Sequence, residues 1–226
     1  MRNRLEMTRR PEAEFLADID PRSVEVILAS AQRQHIAAKQ AILAAGQPAE
    51  HLYMLQTGHA RYFRIVPSGS ETTLRVLAEG DVLGLASLLK YDGDYLANAE
   101  AVTDCELLVW TKARMRALAA KNPQLVENAL RIALDYLRGY VERHINLLSK
   151  TAEQRLALTL LDLGHRIGHV RPQGIEIETT NERLGSLADT TRFTTSRLLK
   201  IFERAGAVSK KRGKVVIHTP ETLAFG

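Results

Sequence analysis

The sequence predicts an α+β chain in three parts: an antiparallel β-barrel or sandwich, a long pairing helix, and a C-terminal helix-turn-helix carrying a small β-wing. Three observations carry that reading. Glycines punctuate the first half at roughly ten-residue intervals, which is the rhythm of short antiparallel strands. An apolar seam at heptad spacing runs through residues 126–147. Residues 179–214 then give a helix, a tight turn, a second helix rich in arginine, and a basic hairpin.

The strands come first, between about residues 35 and 110. Gly46, Gly58, Gly69, Gly80, Gly84 and Gly93 mark the turns. The clearest strands are Leu52-Tyr53-Met54-Leu55, residues 60–66 and residues 72–77, with Pro67-Ser68-Gly69-Ser70 turning the second into the third. The long helix is expected over 123–150. Val126, Leu130, Ala133, Leu137, Tyr140, His144 and Leu147 advance by alternating steps of four and three, the spacing of a helix that pairs with another helix. No second segment shows a matching seam, so the expected partner is the same helix of a second subunit.

The last segment carries the chemistry. Thr179 and Glu182 stand at capping-box spacing, so a helix is expected to start there. Asp189-Thr190-Thr191 breaks it, and Asp tolerates a left-handed turn. In the second helix Thr195, Leu198, Leu199 and Phe202 share one face, while Arg192, Phe193, Ser196, Arg197 and Lys200 share the other. Two exposed arginines about a turn apart suit the major groove, because guanidinium bonds guanine bidentately. Lys210, Lys211, Arg212 and Lys214 surround Gly213 and predict a wing that grips backbone phosphate. Such a face is often only solvated helix surface, and the charge distribution decides between the readings. From Thr179 onward there are nine Lys or Arg against four Asp or Glu, and the whole chain is +5, so residues 1–178 balance. Charge confined to one module is the footprint expected of a phosphate-binding module, and with the arginine-bearing helix face it makes double-stranded DNA the expected partner.

Composition narrows the remaining classes. The chain has 226 residues, 45% hydrophobic and 25% charged, enough for two cores. No apolar run approaches a membrane span, and the N-terminal segment lacks the apolar stretch of a secretory signal, so a cytoplasmic protein with no membrane partner is expected. Cys105 is the single cysteine; it cannot form an internal disulfide or supply an iron–sulfur cluster, and is read as a buried thiol. A nucleophile elbow, a phosphate-binding P-loop and HExxH are all absent, and His51 and His59 lack the partner ligands of a metal oxygenase. A cupin-like enzyme is thus the remote alternative, and no catalytic residue or bound metal is expected.

Taken together, the glycine-punctuated strands, the long helix and the winged helix-turn-helix resemble the catabolite-activator/FNR (Crp/Fnr) family of bacterial transcription regulators, from about Asp20 to Thr219. The most specific motif matches are Leu184-Gly185-x-Leu187-Ala188 and Thr191-Arg192-x-Thr194-x-Ser196-Arg197-Leu198-Leu199-Lys200. Glu79-Gly80-Asp81-Val82-Leu83-Gly84 resembles the family's turn, with Glu79 in place of proline, and Asn122-Pro123 falls where the family's long helix begins. The resemblance implies an N-terminal β-roll of the cyclic-nucleotide-binding, jelly-roll type over 1–122 that senses an effector. It also implies a dimerisation helix over 123–150 and a DNA-binding domain over 151–226.

The resemblance further implies a homodimer on a pseudopalindromic operator, with recognition helices one DNA turn apart, roughly 34 Å. Arg192, Phe193, Ser196 and Arg197 would read bases, while Thr191, Thr194, Lys210, Lys211 and Arg212 would contact phosphates. Residues 149–151 would act as hinge, and the loop at residues 169–174 would lie where the family contacts RNA polymerase. Two departures matter. Leu85 stands where cyclic-nucleotide-responsive members hold the ribose with glutamate, and Asp94-Tyr95-Leu96-Ala97 has no arginine for the phosphate, so cyclic AMP is not the expected effector. Phe193 replaces the glutamate that reads cytosine, and a phenyl ring packs instead on a thymine methyl. Arg61, Arg64, Arg75, Leu85, Tyr95, Tyr140 and His144 are the candidate effector-pocket residues, suited to a small organic acid. His51, His59 and His144 leave a haem-based gas sensor as one alternative; a regulator without any effector is another.

Overall fold

The computed structural model describes residues 12–67, 69, 71–90 and 92–224. The chain divides into two units. One comprises the chain up to Tyr62 together with Leu77–Arg138; the other comprises Phe63–Val76 and the chain from Gly139 onward.

The first unit opens with α1 (Glu12–Phe15) and α2 (Pro21–Ala29). Asp20 caps α2 by accepting from the Ser23 amide at 3.0 Å, and Pro21 occupies the first turn, where its missing N–H costs nothing. Eight strands follow along the chain, the second half of β4 and all of β5 but Leu77 counting with the second unit: β1 (Gln32–Ile36), β2 (Ala41–Leu43), β3 (His51–Thr57), β4 (Ala60–Ile65), β5 (Glu71–Leu77), β6 (Val82–Leu83), β7 (Asn98–Ala101) and β8 (Cys105–Thr111). They form two four-stranded sheets, ordered β1-β8-β3-β6 and β2-β7-β4-β5. All three strands expected most clearly from sequence are present as β3, β4 and β5. Ser68 and Ser70 of the expected turn between the last two lie outside the described residues.

Side-chain alternation explains why β3 and β8 read as unbroken apolar runs. Tyr53, Leu55, Leu107 and Val109 face the core between the sheets, while Leu52, Met54, Leu108 and Trp110 face a second cluster built with helices. That second cluster includes Ile27 of α2, Met115 and Leu118 of α3 (Lys112–Lys121), and Leu125, Ala129 and Ile132 of α4 (Gln124–Ser149). Trp110 is buried and its indole N–H donates to the Ile27 carbonyl at 2.9 Å, so its one polar atom is satisfied. Asn128 is buried too, and its amide donates to the carbonyls of Phe15 (3.0 Å) and Ala17 (2.8 Å), pinning the first segment to α4. Leu52 is fully buried at the centre of this cluster. Leu52→Ala is expected to cost about 2–5 kcal/mol, read as a lower denaturant midpoint at unchanged slope.

The second unit contains α5 (Ala152–Ile167), β9 (His169–Arg171), β10 (Gly174–Glu178), α6 (Asn181–Leu187), α7 (Arg192–Arg204), β11 (Val208–Lys211), β12 (Lys214–Ile217) and α8 (Pro220–Ala224). The strands make one sheet, ordered β11-β12-β10-β9. Its core joins Leu156, Leu160 and Leu163 of α5 to Leu184, Leu198, Leu199 and Phe202 of the paired helices, and to Ile177, Val215 and Ile217 of the sheet. Between α4 and α5 the chain leaves the helix for only Lys150 and Thr151. Thr151 restarts it with a full capping box, accepting from the Gln154 amide while the Gln154 side chain accepts from the Thr151 amide.

Candidate nucleic-acid interface

The interface is built by α6 and α7. The expected cap lies one residue later than the Thr179–Glu182 spacing placed it. Thr180 accepts from the Arg183 amide at 3.2 Å and starts α6. Thr179 is instead buried, its amide donating to the Gly213 carbonyl at 3.0 Å, because the chain still runs alongside the wing there. Gly185 lets the two helices meet: a Cβ on it would lie 2.9 Å from the Thr190 carbonyl oxygen and 3.1 Å from the Thr195 hydroxyl. The turn itself rests on Asp189, at φ +51° in the left-handed region, as its composition predicted. The Asp189 carboxylate is held by Arg143 of α4 at 2.7 and 2.8 Å, a partner the heptad pattern gives no hint of.

Thr191 caps α7 by accepting from the Thr194 amide at 3.1 Å, and its hydroxyl also bonds the Thr194 hydroxyl at 3.0 Å. Both expected phosphate-contacting threonines thus sit at the helix N-terminus, where the backbone dipole favours an anion. Thr195, Leu198, Leu199 and Phe202 are buried against α5 and α6, so the opposite face must turn outward. On it, Arg192, Phe193, Arg197 and Lys200 are exposed and Ser196 is half-buried. Phe193 leaves 71% of its surface open, an unusual position for a phenyl ring unless something covers it, and the Arg192 guanidinium sits 4.7 Å from its ring centre.

The wing pairs β11 with β12, Lys211 opposite Lys214, with Gly213 at φ +73° closing the turn. Lys210, Lys211 and Arg212 are exposed at its tip. Lys214 is diverted: it pairs with Glu176 at 2.8 Å and Glu178 at 3.1 Å. That contact holds the Glu176 carboxyl below its ordinary range and the Lys214 ammonium above its own. The three tip residues and α7 therefore carry the exposed positive charge of this face.

The candidate effector residues are placed as follows. In the first unit, Arg61 is paired with Glu100 at 3.1 Å. Leu85 opens a 3₁₀ turn (Leu85–Leu88) after Gly84, and packs against the cluster containing Leu52 and Met54. Gly84 is at φ +79°, and a Cβ on it would lie 2.4 Å from the His51 carbonyl oxygen. Tyr95 is buried; its hydroxyl accepts from the His51 amide (3.0 Å) and donates to the His51 carbonyl (3.1 Å), so it serves as a wall. In the second unit, Arg64 is exposed, Arg75 half-buried, and Tyr140 and His144 lie on the outer surface of α4. Burial pushes the Tyr140 phenol up, while the charges of Arg75 and Arg143 pull it down. Cys105 is a buried thiol that donates to the carbonyls of His59 and Thr103 at 3.3 Å. Among the described residues no three His, Cys, Asp or Glu side chains converge as a metal-binding group, and no helix is long and apolar enough to cross a membrane.

Along α4 the exposed apolar surface is wider than the expected seam. Val126, Leu130, Leu137 and Leu147 are 45–60% exposed, and Leu134, Val141, Ile145 and Leu148 join them at 50–75%. At about 100° per residue, Val126, Leu130, Leu137, Val141 and Leu148 fall within an arc of about 60°, while Tyr140 and Leu147 lie about 40° and about 60° beyond one side of it.

Comparison with known proteins places two domains on this chain. Residues 33–122 match the cyclic nucleotide-binding domain, and residues 154–225 match the Crp-like helix-turn-helix domain. The Cyclic AMP receptor protein of Thermus thermophilus is 31% identical over 210 residues, covering 91% of this chain and 94% of that protein. The Fumarate and nitrate reduction regulatory protein of Yersinia pestis is 26% identical, covering 85% and 77%. Among solved structures, the c-di-GMP responsive global regulator CLP of Xanthomonas campestris superposes with a TM-score of 0.75 at 21% identity, covering 88% of this chain and 99% of that one.

Proposed function

This chain belongs to the Crp/Fnr family of DNA-binding transcription regulators, a family of regulators and not of enzymes, and we propose that it acts as a cytoplasmic homodimer reading a pseudopalindromic operator under an effector other than cyclic AMP. The observation that carries the DNA reading is the outward face of α7. Arg192, Phe193 and Arg197 stand exposed together, with the basic tip of the wing supplying phosphate contacts. Two copies of that face, joined through the apolar stripe of α4, would meet successive major grooves. The exposed strand β9 and its turn into β10, with Val170 84% exposed, form the surface we assign to RNA polymerase.

The effector proposal rests on the roll. Leu85 offers no hydrogen bond to a ribose, and the Tyr95 hydroxyl is committed to the backbone of His51. A cyclic phosphate buried there would lack a guanidinium and lose several kcal/mol. The relatives' own names refer to cyclic AMP, to c-di-GMP and to fumarate and nitrate reduction, so a shared fold does not fix the signal. Arg75, whose charge acts on the Tyr140 phenol, is the cation we assign to a small organic acid.

Fluorescence anisotropy on DNA from upstream of the protein's own gene, at fixed salt and without ligand, tests the regulator reading. Saturable binding that survives excess nonspecific duplex is expected. Binding erased by competitor, on this DNA and on duplexes selected from a random pool, would refute it. Calorimetric titration with cyclic AMP is expected to give no saturable heat below about 1 mM, the limit of about 4 kcal/mol of binding energy. Micromolar binding would overturn the effector proposal and leave the DNA reading intact.

A further inference from the structure

One side chain ties the DNA-reading turn to the long helix. Arg143 of α4 makes four hydrogen bonds to three segments of the second unit. Its Nε and Nη2 fork onto the Asp189 carboxylate at 2.8 and 2.7 Å. Nη2 also donates to the Ser186 carbonyl at 2.7 Å, and Nη1 to the Thr73 carbonyl at 2.8 Å. Thr73 of β5 is buried, and its amide in turn donates to the Ser186 hydroxyl at 2.8 Å. The end of α6, the left-handed turn, strand β5 and α4 therefore converge on one guanidinium.

The location of this cluster gives it a consequence beyond stability. Arg143 lies before the two-residue break at Lys150 and Thr151, whereas Asp189 and Ser186 lie after it. A second arginine, Arg155 of α5, also holds the turn, donating to the carbonyls of Ala188 (2.9 Å) and Asp189 (3.0 Å). Arg155 lies after the break and its Nη1 donates to the Lys150 carbonyl at 2.8 Å, so it ties the turn to the break itself but to no side chain or carbonyl of α4. Arg143 spans the break. A planar, bidentate fork to a carboxylate, with two further N–H donors committed to backbone carbonyls, holds orientation as well as separation. Thr191 and Arg192, which open the recognition helix, follow Asp189 by two and three residues.

We infer that Arg143 is a positioning residue that sets the angle of the recognition helix against the dimerisation helix, and so sets the half-site spacing the dimer accepts. The inference rests on the homodimeric regulator reading above. With the fork in place, the two recognition helices are held at a fixed separation and rotation. Without it, each DNA-reading module swivels about Lys150 and Thr151 and accommodates several spacings.

The test compares the parent, Arg143→Ala and Arg143→Lys as full-length proteins. The probes are an operator selected by the parent from randomised duplex, its isolated half-site, and the operator with one to five base pairs inserted at its centre. Five base pairs is about half a helical turn, which sets two rigid heads on opposite sides of the duplex. The parent is expected to lose binding steeply across that series. Arg143→Ala is expected to bind the half-site within about twofold of the parent, to lose about tenfold on the native operator, and to show a flattened spacing profile. Arg143→Lys, which keeps the charge but not the fork, should fall between them. An unchanged spacing profile in Arg143→Ala overturns the inference. So does an equal loss on half-site and operator, the signature of a folding role, and so does tighter binding to the native operator. If the parent itself selects no duplex, the regulator reading fails and takes the inference with it.

Discussion

Leu137→Glu is expected to turn the dimer into a monomer and to weaken operator binding by at least about a hundredfold. Leu137 sits mid-helix in a stripe where Val126, Leu130, Leu134, Val141 and Leu148 are each half or more exposed. Contiguous apolar surface of that kind marks an interaction site, which the proposed function assigns to a second copy of the chain. Covering each leucine contributes about 1.5–3 kcal/mol, and the symmetry of a two-fold dimer counts every residue twice. Glutamate at this position removes two such contributions and sets two carboxylates facing one another across the axis. Bivalent binding to a palindrome disappears with the dimer, because the second half-site is no longer at high effective concentration. Light scattering after size exclusion reads the mass, and anisotropy on the operator and the half-site reads the binding. A monomeric variant that keeps the parent's operator affinity would sink the dimer proposal. A dimeric variant would move the interface off α4.

The helix-turn-helix was legible in the sequence because its helix faces and its turn residue are local signals. Leu184, Leu198, Leu199 and Phe202 sit at helical spacing and enter one core, and Asp189 marks the turn by its tolerance for positive φ. The long helix was legible for the same reason, its observed bounds lying within one residue of those expected. The cap of α6 was misplaced by one residue because a Thr-Thr pair offers two caps. Only the pairing of Thr179 with the wing, 34 residues on, chooses between them.

What the sequence hid is what long-range packing decides. The strand order β1-β8-β3-β6 follows from register across turns, and no periodicity records it. Lys214 reads as one more cation of the wing until Glu176 and Glu178 are seen beside it. That the Tyr95 hydroxyl is held by the His51 backbone, 44 residues away, is equally invisible in the sequence. Arg143 lies 46 residues from Asp189 and 70 from Thr73, off the apolar stripe, with the appearance of any solvated helix charge. In the same way the strict alternation of threes and fours included Tyr140 and Leu147 but passed over Leu134, Val141 and Leu148. A straight helix drifts about 20° per heptad, so the exposed stripe leaves that register after Leu137.

Arg197→Ala is expected to cost about 1–3 kcal/mol on the operator, about 5- to 150-fold in affinity, while leaving binding to random duplex close to that of the parent. Arg197 is exposed on α7 one turn beyond Phe193, on the face opposite the buried Leu198 and Leu199, so no folding role competes for its side chain. In the proposed role a guanidinium there would bond a guanine through two atoms, and truncation would remove discrimination at one base pair and little else. The wing supplies the contrast. Neutralising Lys210, Lys211 and Arg212 together should weaken operator and random duplex alike and reduce the salt slope by about 0.9 for each phosphate no longer neutralised. The two variants therefore separate base reading from phosphate gripping on one protein. If Arg197→Ala weakened every duplex equally and the wing variant changed specificity, the roles assigned to α7 and the wing would have to be exchanged. If Arg197→Ala left the selected operator sequence unchanged at every position, α7 would not be the reading element, and Phe193 would lose its place over a thymine methyl with it.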